Sequence, residues 1–287
     1  MLTNPIYERE RKKSARSSRF SIAFFLFNLL LTLVALFSMA ITLHRVAETG
    51  ELQYAVFLKI FCWIAWIEFA MVIVLMPART AACISGEREK KTFDLLMSTC
   101  MRPMDIIIGD MLTAMSSVSL LLCSGGPVFA AVLLYGGVRL SELLLLAAVC
   151  ILTAFFVGSI GLLFSACSAN TTASMAMTYA AVVLLLFGPY ALSLLAGGLS
   201  FASAQAGCLL PLSPLAVFHS ALSLVTRETV LSEVFERTSP LGDREIFAVG
   251  VCLQLLLSAF FFVLSGRMIS PGGPKNLRGK TPHESKI

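Results

Sequence analysis

Long apolar runs alternate with short polar breaks along this chain, and the runs are too long for the strands or amphipathic helices of a soluble domain. A helix needs about 20 apolar residues to cross a bilayer core. Windows of that kind predict six spans, at 20–43, 55–76, 111–135, 143–167, 173–196 and 246–266. The fourth and fifth share one uncharged stretch, 143–196, which at ~1.5 Å per residue would make roughly 80 Å of helix. That is two spans, and Ser168, Ala169, Asn170, Thr171 and Thr172 form the polar cluster expected to turn the chain between them. The expected fold class is therefore an all-α integral membrane protein with six transmembrane helices and one permease domain over 20–266.

Three regions lie outside that plan. Residues 1–19 carry alternating charges and predict an amphipathic helix at the membrane surface or a solvated arm. The segment 197–245 is apolar at first but broken by Gly197, Gly198, Gly207, Pro211 and Pro214, which suits short re-entrant or interfacial helices better than a seventh straight span. Residues 267–287 form a basic tail. The first apolar run exceeds the about 7–15 residues of a signal peptide's core, so an uncleaved helix is expected.

Composition agrees with immersion in lipid. Hydrophobic residues make up 57% and charged residues 14%, where soluble domains average about 45–50% and about 25%. No Asp, Glu, Lys or Arg occurs between Glu142 and Arg227. Of the 22 basic residues, 16 fall in 1–19, 77–110 and 267–287, and 5 in the segments on the opposite side. The positive-inside rule then places both termini in the cytoplasm, in a bacterial cell membrane. The net charge of +5 is explained by these border clusters and not by nucleic-acid binding.

Candidate chemistry is sparse. The eight cysteines stand singly, mostly in apolar runs, and are expected as buried free thiols without metal or disulfide spacing. None of His44, His219 and His283 has a second ligand at helical spacing. Gly279-Lys280-Thr281 copies the end of a P-loop, but Pro274 stands where its first glycine belongs. No catalytic residue and no metal ligand is assigned. Lys59 and Glu68 are the charges inside a span. Nine residues apart, they point to opposite faces. Lys59 is near the end and can snorkel. Glu68 is too deep for that and must face protein or a water-filled cavity, as a transport-path residue or a structural hydrogen-bonding group.

The polar segment 77–110 is different, because it carries five acidic and five basic residues. As helix, Phe93, Leu96, Met97 and Cys100 form one apolar stripe, with Glu87, Arg88, Lys90, Lys91 and Asp94 opposite. Such a helix lies along the membrane and presents polar groups to a partner, or is a solvated connector. The run Ile84-Ser85-Gly86-Glu87-Arg88-Glu89-Lys90, then Thr92, Asp94, Leu95, Leu96, Ser98 and Thr99, resembles the signature of ABC-2 type transporter permeases. Asn4-Pro5-Ile6-Tyr7-Glu8-Arg9-Glu10 is similar to the family's start, and Leu212-Ser213-Pro214-Leu215-Ala216 to its segment before the last span. Three positions depart from the pattern. Lys91 replaces a glycine, Cys100 a proline and Asp110 a lysine; the first two losses favour a continuous helix over 86–101.

The resemblance implies a permease subunit of an ATP-driven transporter, an exporter in most such proteins. The ATPase is a separate subunit that binds ATP and Mg, and two permeases, identical or homologous, join two ATPases. Residues 84–97 would be the coupling helix seated in the ATPase. Glu87 and Arg88 would be polar contacts and Phe93, Leu95 and Leu96 packing, within a segment of Ile84, Ser85, Gly86, Glu87, Arg88, Glu89, Lys90, Lys91, Thr92, Phe93, Asp94, Leu95 and Leu96. A non-transporting anchor that recruits an ATPase would also explain this segment, and a membrane-embedded lipid-modifying enzyme is the third reading. Few charges in the spans favour an apolar or amphipathic cargo.

Overall fold

A computed structural model describes residues 18–49, 54–92, 103–135, 138–198, 207–226 and 242–269. The α-helices among these residues are α1 (Ser18–Thr49), α2 (Tyr54–Thr80), α3 (Cys83–Glu89), α4 (Pro103–Tyr135), α5 (Leu140–Cys167), α6 (Thr171–Gly198), α7 (Pro214–Thr226) and α8 (Asp243–Ile269), with a 3-10 turn at Gly207–Leu212 before α7. Six are long and apolar enough to cross a membrane: α1, α2, α4, α5, α6 and α8. No strand occurs among the described residues. Backbone groups satisfied within each helix are what lipid demands.

The spans run longer than the apolar windows predict. α4 begins eight residues before 111, and α1 continues to Thr49, because polar residues at the interface extend a helix as readily as apolar ones do. The turn between the fourth and fifth spans falls where the polar cluster predicts it, at Ser168, Ala169 and Asn170.

The core is organised around α5, which packs against α8, α2, α6, α4, α7 and α3. Most of its residues from Val149 to Ala166 are buried, with Ile151 turned outward. Small residues make this possible, since helices in lipid associate by close packing and not by hydrophobic expulsion. Gly158 faces the ends of Met76 and Met111, and a Cβ at Gly161 would run into the Thr80 hydroxyl. These contacts set α2 and α5 parallel, with the end of α2 locked against α5. By contrast α1 exposes Phe25, Leu26, Leu30, Leu33, Leu36 and Phe37, a surface that lipid satisfies without cost.

In the segment expected to hold short re-entrant or interfacial helices, α7 is packed into the protein. Eleven of the 13 residues of α7 are buried. Phe218 stacks on Phe69 of α2 at 4.1 Å and meets Trp66 edge-on at 5.1 Å. On the other side, Gly250 of α8 lets Val217 and the Pro211 carbonyl approach closely. The Ser223 hydroxyl donates to Asp243 at 2.6 Å and ties α7 to the first turn of α8.

The expectation of uniformly buried thiols is corrected. Cys62 and Cys150 are buried and Cys83 and Cys167 half-buried, but Cys123 and Cys252 are exposed on outward helix faces. In lipid an outward thiol is still in an apolar medium, so hydropathy alone does not separate the two positions. Residues 1–17, with the expected N-terminal surface helix, and 270–287 lie outside the described residues.

Candidate functional site

The polar segment after α2 folds into α3, a helix of seven residues. Such a helix has more unsatisfied end groups than internal bonds, so its existence depends on what caps it. Ala82 at the N-cap position offers no side-chain acceptor. The missing acceptor comes from α5: the Ser165 hydroxyl oxygen accepts the Ile84 and Ser85 amides, each at 3.0 Å. These are the second and third amides of the helix, the pair that an N-cap serine ordinarily receives from within its own chain segment. Ile84 and Ser85 are buried. The Ser85 and Ser174 hydroxyls both donate to the Ala81 carbonyl at 2.7 Å, which closes the turn between α2 and α3 and brings in α6.

The other end of α3 meets the turn between α5 and α6. Glu89 accepts the Thr171 backbone N–H at 3.1 Å and the Thr171 hydroxyl at 2.6 Å. It places a carboxylate at the N-terminus of α6, whose own first turn has no acidic residue. Arg88 donates a long hydrogen bond, 3.4 Å, to the Ser168 carbonyl at the C-terminus of α5. Two adjacent side chains of opposite sign therefore sit on the two helix ends that attract them, anion at the positive end and cation at the negative end.

The helix stops at Glu89, and the expected continuous helix over 86–101 is corrected at this point. Lys91 has φ 57°, in the left-handed region. Its N–H donates to the Arg88 carbonyl and the Thr92 N–H to the Glu87 carbonyl, both at 3.0 Å. That pair of bonds is a Schellman C-cap, which favours glycine at the left-handed position. Lys91 stands where the resembled pattern has glycine, so the missing glycine was a helix stop and not a helix breaker within a longer run. Thr92 also donates its hydroxyl to the Glu87 carboxylate and to the Glu87 carbonyl, the latter at 3.2 Å.

The predicted segment is thus divided. Ile84, Ser85, Arg88 and Glu89 are engaged with α5 and α6, and Gly86 lies 3.5 Å from Thr171 measured from where a Cβ would stand. Glu87 is half-exposed, and Lys90, Lys91 and Thr92 are exposed. Phe93, Asp94, Leu95 and Leu96, with the stripe they belong to, lie outside the described residues. Sequence reasoning missed Ser165, Thr171 and Ser174. Ser165 and Ser174 sit in an apolar run and Thr171 in the polar cluster read as a turn, with no local sign that they serve the α3 region 80 to 93 residues away.

Glu68 lies mid-helix in α2 and is 7% exposed, facing protein, while Lys59 is exposed. The carboxylate rests against α4, where a Cβ at Gly125 would stand 2.8 Å from Oε1. Oε1 has no hydrogen-bond partner, so for that atom the expected structural hydrogen bond is not found. The same holds for Trp66 Nε1, Thr153 Oγ1 and both amide atoms of Gln254. Among the described residues no three His, Cys, Asp or Glu side chains gather as a metal site.

Six apolar spans, of which α2, α4, α6 and α8 pack directly on α5, and a short polar helix after the second define a multi-pass membrane protein. Residues 4–267 match the model of the ABC-2 family transporter proteins. The match covers most of the chain, which belongs to that family and is a membrane permease component of an ABC transporter. No curated protein matches it closely enough to serve as a relative.

Proposed function

We propose that this chain is the permease subunit of an exporter, and that α3 with the turn behind it is where a separate ATPase subunit engages. The ATPase binds ATP and Mg. A second permease copy or a homologous chain completes the transporter, both termini lie in the cytoplasm, and the membrane is a bacterial cell membrane. The excess of basic residues in 1–19, 77–110 and 267–287 supports that orientation.

The observation that carries the reading is the division of α3 into two sides. Ile84, Ser85 and Arg88 face the bundle and Glu89, though exposed, is tied to Thr171 of α6, whereas Lys90, Lys91 and Thr92 end the helix in the open. A polar helix anchored on one side and bare on the other suits a partner that pushes on it. The partner-facing charges are then Lys90 and Lys91, with Glu87 beside them, and Arg88 belongs to the anchor. Glu68, at mid-helix with an unpartnered oxygen, supplies a polar point on a path for apolar or amphipathic cargo.

The test uses the full chain co-expressed with the Walker-motif ATPase encoded nearest to its gene. Lys90→Glu with Lys91→Glu should lower the co-purified ATPase roughly tenfold at moderate salt, by charge reversal at an interface, while the amount of permease in the membrane is unchanged. Full co-purification by the reversed pair would overturn the assignment.

A further inference from the structure

We propose that force entering at α3 passes directly into the α5–α6 hairpin, through a latch formed by Ser165, Glu89 and Thr171, and that these three are positioning residues for coupling. The inference rests on the reading of α3 as the ATPase's contact, and it identifies where the movement goes.

Along the chain α3 follows α2, through the two-residue turn Ala81 and Ala82, and residues 90–102 separate it from α4. In space its attachments are otherwise. Its first turn hangs on the Ser165 hydroxyl of α5, its last residue holds the first residue of α6, and Arg88 reaches the carbonyl of Ser168 between them. All three points lie within the last turn of α5, the connecting turn and the first residue of α6. A rigid helix held at both ends to one hairpin cannot shift without shifting that hairpin or breaking the bonds. Breaking them leaves the Ile84 and Ser85 amides buried without an acceptor, and buried unsatisfied amides are disfavoured. The hairpin in turn includes α5, the helix against which α8, α2, α4 and α7 pack. Movement delivered to α5 therefore reaches every span that touches it, whereas movement delivered to α2 alone would have to cross the Thr80 and Gly161 contact first.

The latch predicts that α3 and the α5–α6 turn stay joined through the ATP cycle. The experiment uses the permease–ATPase complex in lipid nanodiscs, with Cys83 and Cys167 changed to alanine to avoid exchange. Glu89→Cys and Thr171→Cys are introduced together and bridged by a short bis-methanethiosulfonate that reductant removes. Permease-dependent stimulation of ATP hydrolysis should be within twofold of the parent when bridged and fall at least fivefold when the bridge is cut, in the same sample. A fold-stabilising role alone would not give that reversible toggle. Ser165→Ala should lose stimulation while the ATPase still co-purifies, and Thr171→Ser, which keeps the hydroxyl, should retain it. Loss of stimulation on bridging would overturn the latch, because it would mean that the contact must open; full stimulation in the reduced cysteine pair or in Ser165→Ala would overturn it equally. If the wild-type chain captures no ATPase, the reading of α3 fails and the latch with it, an outcome distinct from the others because co-purification itself is lost.

Discussion

Two polar regions sit inside this charge-poor chain, and they are built in opposite ways. At the α3 end of the bundle, the amides of Ile84 and Ser85, the carbonyl of Ala81 and the backbone of Thr171 are met by side chains from other helices. Ser168, whose hydroxyl has no partner, is an exception in that region, and Ser265 near the end of α8 is another unpartnered hydroxyl. In the middle of α2, α5 and α8, Glu68 Oε1, Thr153 Oγ1 and the amide of Gln254 are buried with their bonding capacity unused. A satisfied network fixes one arrangement, because every alternative loses bonds. An unsatisfied group lowers stability where it stands unless a water, an ion or a ligand meets it. The difference separates a part built to stay together from a part with polar groups to spare.

The largest effect expected concerns the packing that the α3 region depends on. Gly161→Val would drive a branched side chain into Thr80 and toward the Ala81 amide. Overpacking of this kind costs about 1–3 kcal/mol, more where backbone blocks relaxation. The thermal midpoint of the purified protein in detergent should fall by several degrees. Gly126→Val, at a glycine of α4 with open space around it, should move the midpoint far less. Equal losses at both glycines would show that close approach is not what holds α2 to α5.

Opposite signs are expected for two polar-to-apolar changes. Ser165→Ala removes the acceptor of two buried amides, and stability should drop by about 1–3 kcal/mol. Gln254→Leu removes two buried amide atoms that bond to no other group of this chain, and should leave stability unchanged or raise it by about 1 kcal/mol. Both are read by unfolding in the same detergent. A matching loss at Gln254 would break the comparison, since it would mean that the mid-bundle groups are partnered in the folded protein.

How much of this was legible beforehand differs between the same two regions. The six spans and the turn at residues 168–170 follow from run length and one polar cluster, because a bilayer imposes a minimum helix length. Burial of α7 does not follow, since hydropathy scores a lipid-facing and a protein-facing leucine alike. Glu68 was legible as a deep carboxylate, though not its bare oxygen against Gly125. The latch was hidden for a different reason. Ser165 and Thr171 are ordinary polar residues in apolar surroundings, and their partners lie 80 and 82 residues away. The helix stop at Lys91 left a trace in the glycine missing from the signature, one of its three departures.

That trace gives the smallest prediction and the most local one. Lys91 holds φ 57°, where an L-residue with a Cβ is strained by roughly 1–2 kcal/mol. Glycine would remove that strain but would gain freedom in the unfolded chain, which offsets about 0.5–1 kcal/mol of the benefit. Lys91→Gly should therefore stabilise the cap by about 0.5–1 kcal/mol, seen as slower amide exchange, relative to each residue's intrinsic rate, at Thr92 and at position 91, whose N–H groups close the C-cap. Lys91→Ala keeps the Cβ and removes the charge, so it should leave exchange at these amides as it is in the parent. If alanine slowed exchange as much as glycine, the gain would come from relieving charge beside Arg88 and Lys90, and the left-handed backbone would not be the cause.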